Sequence, residues 1–169
     1  MISPAWVRMM ARHGAWQNGN LYGAAEGVTD ARRREGRGAF FRSIHGTLSH
    51  ILWADHVWLS RFTDRDRPTT AQADNGGYID DWSGRRAARA ETDAALATRA
   101  AGLAWERLEE DYRRFSGGEG RELRRPMAAI VTRVFNHQTH HHRGQVHALL
   151  TAPGAQPSAT DLLVLPTGA

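Results

Sequence analysis

The chain contains no cysteine and, although 22 of its 169 residues are basic, no lysine: every one of those cations is an arginine. The first absence excludes disulfides, thiolate metal sites, iron–sulfur clusters and a cysteine nucleophile, and it leaves His, Asp and Glu as the side chains for any metal. The second excludes Schiff-base and Walker-type lysine chemistry. No apolar run approaches the roughly 18 residues a membrane span needs, and the N-terminal stretch lacks the apolar segment of a signal peptide. The chain therefore reads as cytoplasmic, with no membrane partner. There is no HExxH, and no Glu is followed three residues later by His, which removes the zincin and ferritin-like di-iron patterns. Gly36-Arg37-Gly38 alone is no dinucleotide fingerprint, and no nucleophile-elbow sequence surrounds Ser43, Ser49 or Ser60.

What is present fits one folded domain. Hydrophobic residues at 41% and charged residues at 24% are an ordinary globular mixture, so disorder of the whole chain is excluded. The length lies below the roughly 250 residues at which chains usually divide into two domains. A net charge of +4 is spread along the chain rather than gathered into a stripe, so no nucleic-acid partner is expected.

Four segments carry helical periodicity. The first covers residues 3–28 and opens with Ser3-Pro4, a cap followed by proline where its missing N–H does no harm. The clearest covers 39–63, with Phe41, Ile44, Leu48, Ile51, Leu52, Leu59 and Phe62 on one stripe that only Asp55 interrupts. A third covers 86–115, on Ala101, Trp105, Leu108, Tyr112 and Phe115. The fourth runs from Pro126 to Thr151. With no strand pattern evident, the expected fold is all-α, a four-helix bundle over residues 1–151, with a tail over 152–169 whose Leu162-Leu163-Val164-Leu165 docks on the bundle or on a partner chain. The segment 63–84, with Asn75-Gly76-Gly77, reads as a long loop.

Nine histidines are the compositional signature, and four of them fall between residues 137 and 142. His137 and His141, four apart on a helix, project from one face and can reach one metal ion. They also continue the stripe of Met127, Ile130 and Val134 into the interior, where neutral imidazoles need a partner for their polar atoms. His140 and His142 cannot both point where His141 points. A third ligand has to come from another helix, and His50, beside Ile51 with small Thr47 and Ala54 a turn to either side, is the best placed. His45 and His56 stand about 140° and 240° round the helix from it. His13 reads as a packed or hydrogen-bonded core histidine. Asp55 reads either as an acceptor behind a ligand histidine or as a buried partner for an arginine.

Phe40-Phe41-Arg42-Ser43-Ile44-His45-Gly46-Thr47-Leu48-Ser49-His50-Ile51-Leu52-Trp53-Ala54-Asp55, then Trp58-Leu59-Ser60-Arg61-Phe62, and later Phe135-Asn136-His137-Gln138-Thr139 with Arg143-Gly144-Gln145-Val146-His147, resemble the DinB family of bacterial metalloproteins, also called DinB/YfiT-like. The resemblance spans nearly the whole chain. It implies a four-helix bundle, often a homodimer, with a divalent metal held by one histidine of the second helix and a His-x-x-x-His pair of the fourth. By motif these are His50, His137 and His141. Here an additional histidine precedes Arg-Gly-Gln. Counting from Asn136 gives His141, and counting back from Arg143 gives His142 paired with Gln138. The i, i+4 spacing of two imidazoles favours His141, whereas a π-bulge absorbing the extra residue would bring His142 forward.

Three neutral imidazoles on a divalent ion leave a position open, the arrangement of a catalytic site, and both zinc and nickel suit them. The resemblance implies a metal-dependent transferase or hydrolase, in which the ion activates water or a low-molecular-weight thiol cosubstrate; the arginines near the mouth of the site are candidates to hold a cosubstrate carboxylate. The competing expectation is a noncatalytic metal-binding or interaction module of a stress response.

Overall fold

Four long helices form the body of the protein, seen in a computed structural model that describes residues 2–116 and 120–166, without the side chains of Ser116, His142 and Arg143. Helix α1 (Pro4–Glu26) starts where the Ser3 side chain accepts from the Trp6 amide, with Pro4 in the first turn. A short α2 (Asp30–Arg34) follows. Helix α3 (Ile44–Phe62) begins later than its stripe predicts, because Ser43 caps it by accepting from the Gly46 amide at 3.0 Å. Helix α4 (Trp82–Ala101) is capped in the same way by Asp81. Helix α6 (Met127–Thr139) continues through a wide π turn, His140–Val146, into α7 (His147–Thr151). α1 packs against α4 and α6, and α3 packs against the same two. No described helix is long and apolar enough to cross a membrane.

The expected third helix does not reach residue 115, and the all-α expectation is corrected accordingly. α4 ends at Gly102, a short α5 (Trp105–Glu109) follows, and strands β1 (Asp111–Ser116) and β2 (Arg121–Pro126) pair antiparallel, with Tyr112 opposite Arg125. The protein is thus mostly helical with a two-stranded hairpin. Tyr112 and Phe115, three apart, imitate a helical face, but on a strand they point to opposite sides. Tyr112 packs on Trp58 and Phe62, whereas Phe115 is 68% exposed.

The apolar core lies mainly in two clusters, with a smaller third of Trp53, Ala54 and Val57 packed against Tyr78. Leu21, Tyr22, Ile44, Leu48, Ile51 and Leu150 form one, and Val7, Leu103, Met127, Val131 and Phe135 belong to the other. On α1, α3 and α6 the residues that fall between the two clusters in sequence carry a buried polar network. Arg89 of α4 donates to Asp55 of α3 at 2.6 Å and pairs with Asp93 at 2.7 Å. Asn18 of α1 donates to Asp93, and Gln138 of α6 donates to the second oxygen of Asp55 at 2.6 Å. Burial works against the charge on Arg89, yet Asp55 and Asp93 hold its pKa above the ordinary value. Asp55 is therefore the buried partner of an arginine, the second of its two sequence readings.

The tail follows α1. His13 donates from Nε2 to the Thr160 carbonyl at 2.9 Å and Gln17 donates to the Thr160 hydroxyl, so His13 is a hydrogen-bonded core histidine. The turn Leu162–Val164 leaves Leu163 95% exposed.

Removing one member of a buried ion pair strands the other, so Asp55→Ala is expected to lower the unfolding free energy by about 3–5 kcal/mol in denaturant titration. Gly46→Ala would drive a methyl group onto the Phe41 carbonyl oxygen, and the same titration is expected to show a loss of about 1–3 kcal/mol.

Candidate metal centre

The buried network brings α3 and α6 together at one level, because Gln138, bonded to Asp55, directly follows His137. On the adjoining faces His50, His137 and His141 converge, each offering a ring nitrogen within 4.8 Å of the others. The Nε2 atoms of His50 and His137 stand 3.3 Å apart. Two tetrahedral ligands at 2.0–2.1 Å from a zinc ion are themselves separated by about 3.3 Å, so this spacing fits a metal. His50 is buried and the other two are partly buried.

Neighbours set the ring orientations. Gln145 Oε1 lies 2.9 Å from His141 Nδ1 and can only accept, so Nδ1 carries the proton and Nε2 keeps its lone pair for the cluster. Phe41 stacks on His50 with ring centres 3.8 Å apart and meets His141 edge-on. That segment is held by an Ala39–Arg42 bridge, with Arg42 in the left-handed region at φ 68°. His50 Nδ1 is buried without a hydrogen bond of good geometry; the Asn75 side chain beside it favours its charged form.

Asn75 arrives on the long 63–84 connection, which is strapped down. Its turn Gln72–Gly77 packs on α3. Trp53 donates to the Thr70 carbonyl, Ser49 donates to that of Tyr78, and Arg85 donates twice to that of Ile79 at 2.8 and 2.9 Å. Those two bonds anchor Ile79, a β-branched residue at φ 48°. An open cleft of about 590 Å³, lined by Phe40, Phe41, Arg42, His50, Gln72 and Asn75 among others, opens on His50. A second, of about 570 Å³, opens on His137 between Thr132, Arg133, Asn136 and His140.

His45 and His56 have separate employment. His45 accepts at Nε2 from Arg85 at 2.6 Å; burial, then the charges of Arg85 and Arg34, push its pKa down to about 4. His56 donates from Nε2 to Thr92, whose hydroxyl donates onward to Ala88, and accepts at Nδ1 from the Tyr78 hydroxyl at 2.7 Å. The π turn falls on the extra histidine, and His141 still faces His50 and His137. The side chain of His142, the alternative in register, lies outside the described residues.

Gln145, Phe41 and Asn75 are not among the candidates drawn from residue type, and Gln138 enters there only as the partner of His142 in the alternative register. Gln145 and Phe41 lie inside the two motifs, and their position beside the histidines was the available signal. Nothing local marks Asn75, whose Asn-Gly-Gly context reads only as a turn.

The DinB family model matches residues 1–169, the whole chain. No curated protein and no solved structure matches it.

Burial, then the neighbouring histidines, lowers the pKa of His50 to about 4; burial, then His141 and Arg133, does the same to His137. Between about pH 6.5 and pH 4 the unfolded chain takes up protons that the folded site refuses, so stability is full above about pH 6.5 and declines as pH falls through this window. The melting temperature of metal-free protein, followed by circular dichroism, is expected to drop steadily across that range; a flat profile would contradict neutral, buried imidazoles.

Proposed function

The chain belongs to the DinB family, and from that membership and the three converging imidazoles we propose that it binds a divalent metal ion through His50, His137 and His141 and acts as a metal-dependent transferase or hydrolase. The observation that carries the reading is the 3.3 Å approach of two imidazole nitrogens on different helices. Without an ion, three largely desolvated rings face one another with little to compensate them. The packing of α1, α3, α4 and α6 supports a four-helix bundle as the frame.

Bound there, zinc or nickel supplies Lewis acidity that lowers the pKa of water or of a small thiol at neutral pH. The residues of the chain do the rest. Gln145 holds His141 in the tautomer that presents Nε2. Phe41 covers one face of His50 and keeps water from it. The clefts on either side of the three rings give two small molecules room, a thiol cosubstrate and an electrophile. The chain itself has no cysteine, so sulfur in such a transfer comes from the cosubstrate. We read the protein as cytoplasmic and as a homodimer, the second reading supported by the exposed Leu162, Leu163 and Val164.

Protein purified without a histidine tag is expected to hold one divalent ion per chain by elemental analysis. Alanine at His50, His137 or His141 is expected to abolish retention, and Gln145→Ala to weaken affinity by about 10- to 100-fold. His13→Ala, His56→Ala and His140→Ala are expected to leave the content unchanged. Metal at 100 times its Kd is expected to add about 2.7 kcal/mol of stability. Retention without consumption of any electrophile in the presence of thiols would favour a noncatalytic metal-binding module.

A further inference from the structure

Arginine is gathered on one side of the histidine site. Trp58 of α3 carries the guanidinium of Arg61 4.4 Å from its ring centre and that of Arg133, from α6, at 5.0 Å. Tyr112 of β1 packs against the same indole, and Arg114, two residues on, points to the same side of its strand. Two guanidinium groups thus lie on one buried tryptophan, and the charge of a third, Arg114, is felt at Arg61.

Like charges repel, and a fold gathers them only where something compensates the repulsion. Several other arginines have an acidic partner: Arg34 with Asp80, Arg65 with Glu91, Arg86 with Glu26, Arg89 with Asp55, and Arg124 with Asp111. Among the described residues, none of Arg61, Arg114 and Arg133 has an acidic partner within ion-pair distance. Burial and then the charges of Arg114, Arg67 and Arg133 hold the Arg61 pKa down at about 10. The dipole at the end of α3 accounts for a cation at Arg61 but not for the other two.

The cluster continues into the cleft already described. Arg133 stands one helical turn before His137 on α6, and both line the cleft that also contains Asn136 and His140. Arg133 also depresses the pKa of His137, so its charge is felt at that ring.

The geometry points to an anion subsite: Arg61 and Arg133, gathered on Trp58 with Arg114 near Arg61, hold the carboxylate or phosphate group of a small ligand whose other end lies in the cleft against His137. Guanidinium forks match the planar oxygens of both groups, and the indole fixes two of the forks from its faces. This names the substrate class for the site proposed above as an anionic small molecule. Its catalytic meaning rests on that metal reading, but the subsite itself does not require the metal.

The test is calorimetric titration of the full-length protein, zinc-free and zinc-loaded, with inorganic pyrophosphate and with succinate; the tighter binder identifies the group. Arg61→Gln and Arg133→Gln are each expected to weaken binding by about tenfold or more. Arg65→Gln, whose guanidinium belongs to Glu91, is expected to leave it unchanged. His137→Ala is expected to lose zinc yet keep anion binding within about threefold, which separates failure of the metal reading from failure of this one. The proposal is overturned if neither anion binds at millimolar concentration or if the Gln variants bind as the parent does. It is equally overturned if a short single-stranded DNA binds far more tightly than either anion, with a steep dependence on salt.

Discussion

Arg89 is buried at the centre of the protein, and its charge can stay there only while Asp55 and Asp93 face it. That requirement governs the relation of the four long helices. Asp55 belongs to α3, Arg89 and Asp93 to α4, Asn18 reaches in from α1, and Gln138 closes the group from α6. Apolar packing above and below tolerates sliding by a fraction of a turn. A buried charge with directional partners does not, since each displaced bond leaves a desolvated polar atom behind.

The histidine site inherits its geometry from this network. Gln138 anchors α6 to α3 and the preceding residue, His137, is thereby brought to His50. His141 follows one turn later through the π turn, and Gln145 fixes its ring. From the other side the strapped connection delivers Asn75, and Phe41 closes over His50, an approach that only a glycine at position 46 permits. The three histidines therefore stand at the ends of two polar chains, one internal and one draped over α3.

Much of this was legible in the chain. Ser3-Pro4 marked a helix start because capping is local chemistry, and the stripe on α3 marked a buried face because burial repeats with the helical period. The pairing of His137 with His141 followed from i, i+4 geometry, and the choice of His50 from the small residues around it. The hairpin was not legible, because Tyr112 and Phe115 fall at a spacing that suits a helix while Arg113 and Arg114 hide the alternation of a strand. Nor were the partners of Asp55, the straps on residues 63–84 or the docking of Thr160 on His13. Each joins residues far apart in sequence, and no local pattern encodes which distant partner will satisfy a buried group.

The central claim is that the helices converge so that three imidazoles meet one ion. X-ray absorption at the zinc edge of the metal-loaded protein tests it most directly. The account predicts three imidazole nitrogens at about 2.0–2.1 Å, with the remaining coordination from lighter exchangeable ligands. A spectrum fitted by one imidazole or none, with oxygen ligands in their place, would contradict it.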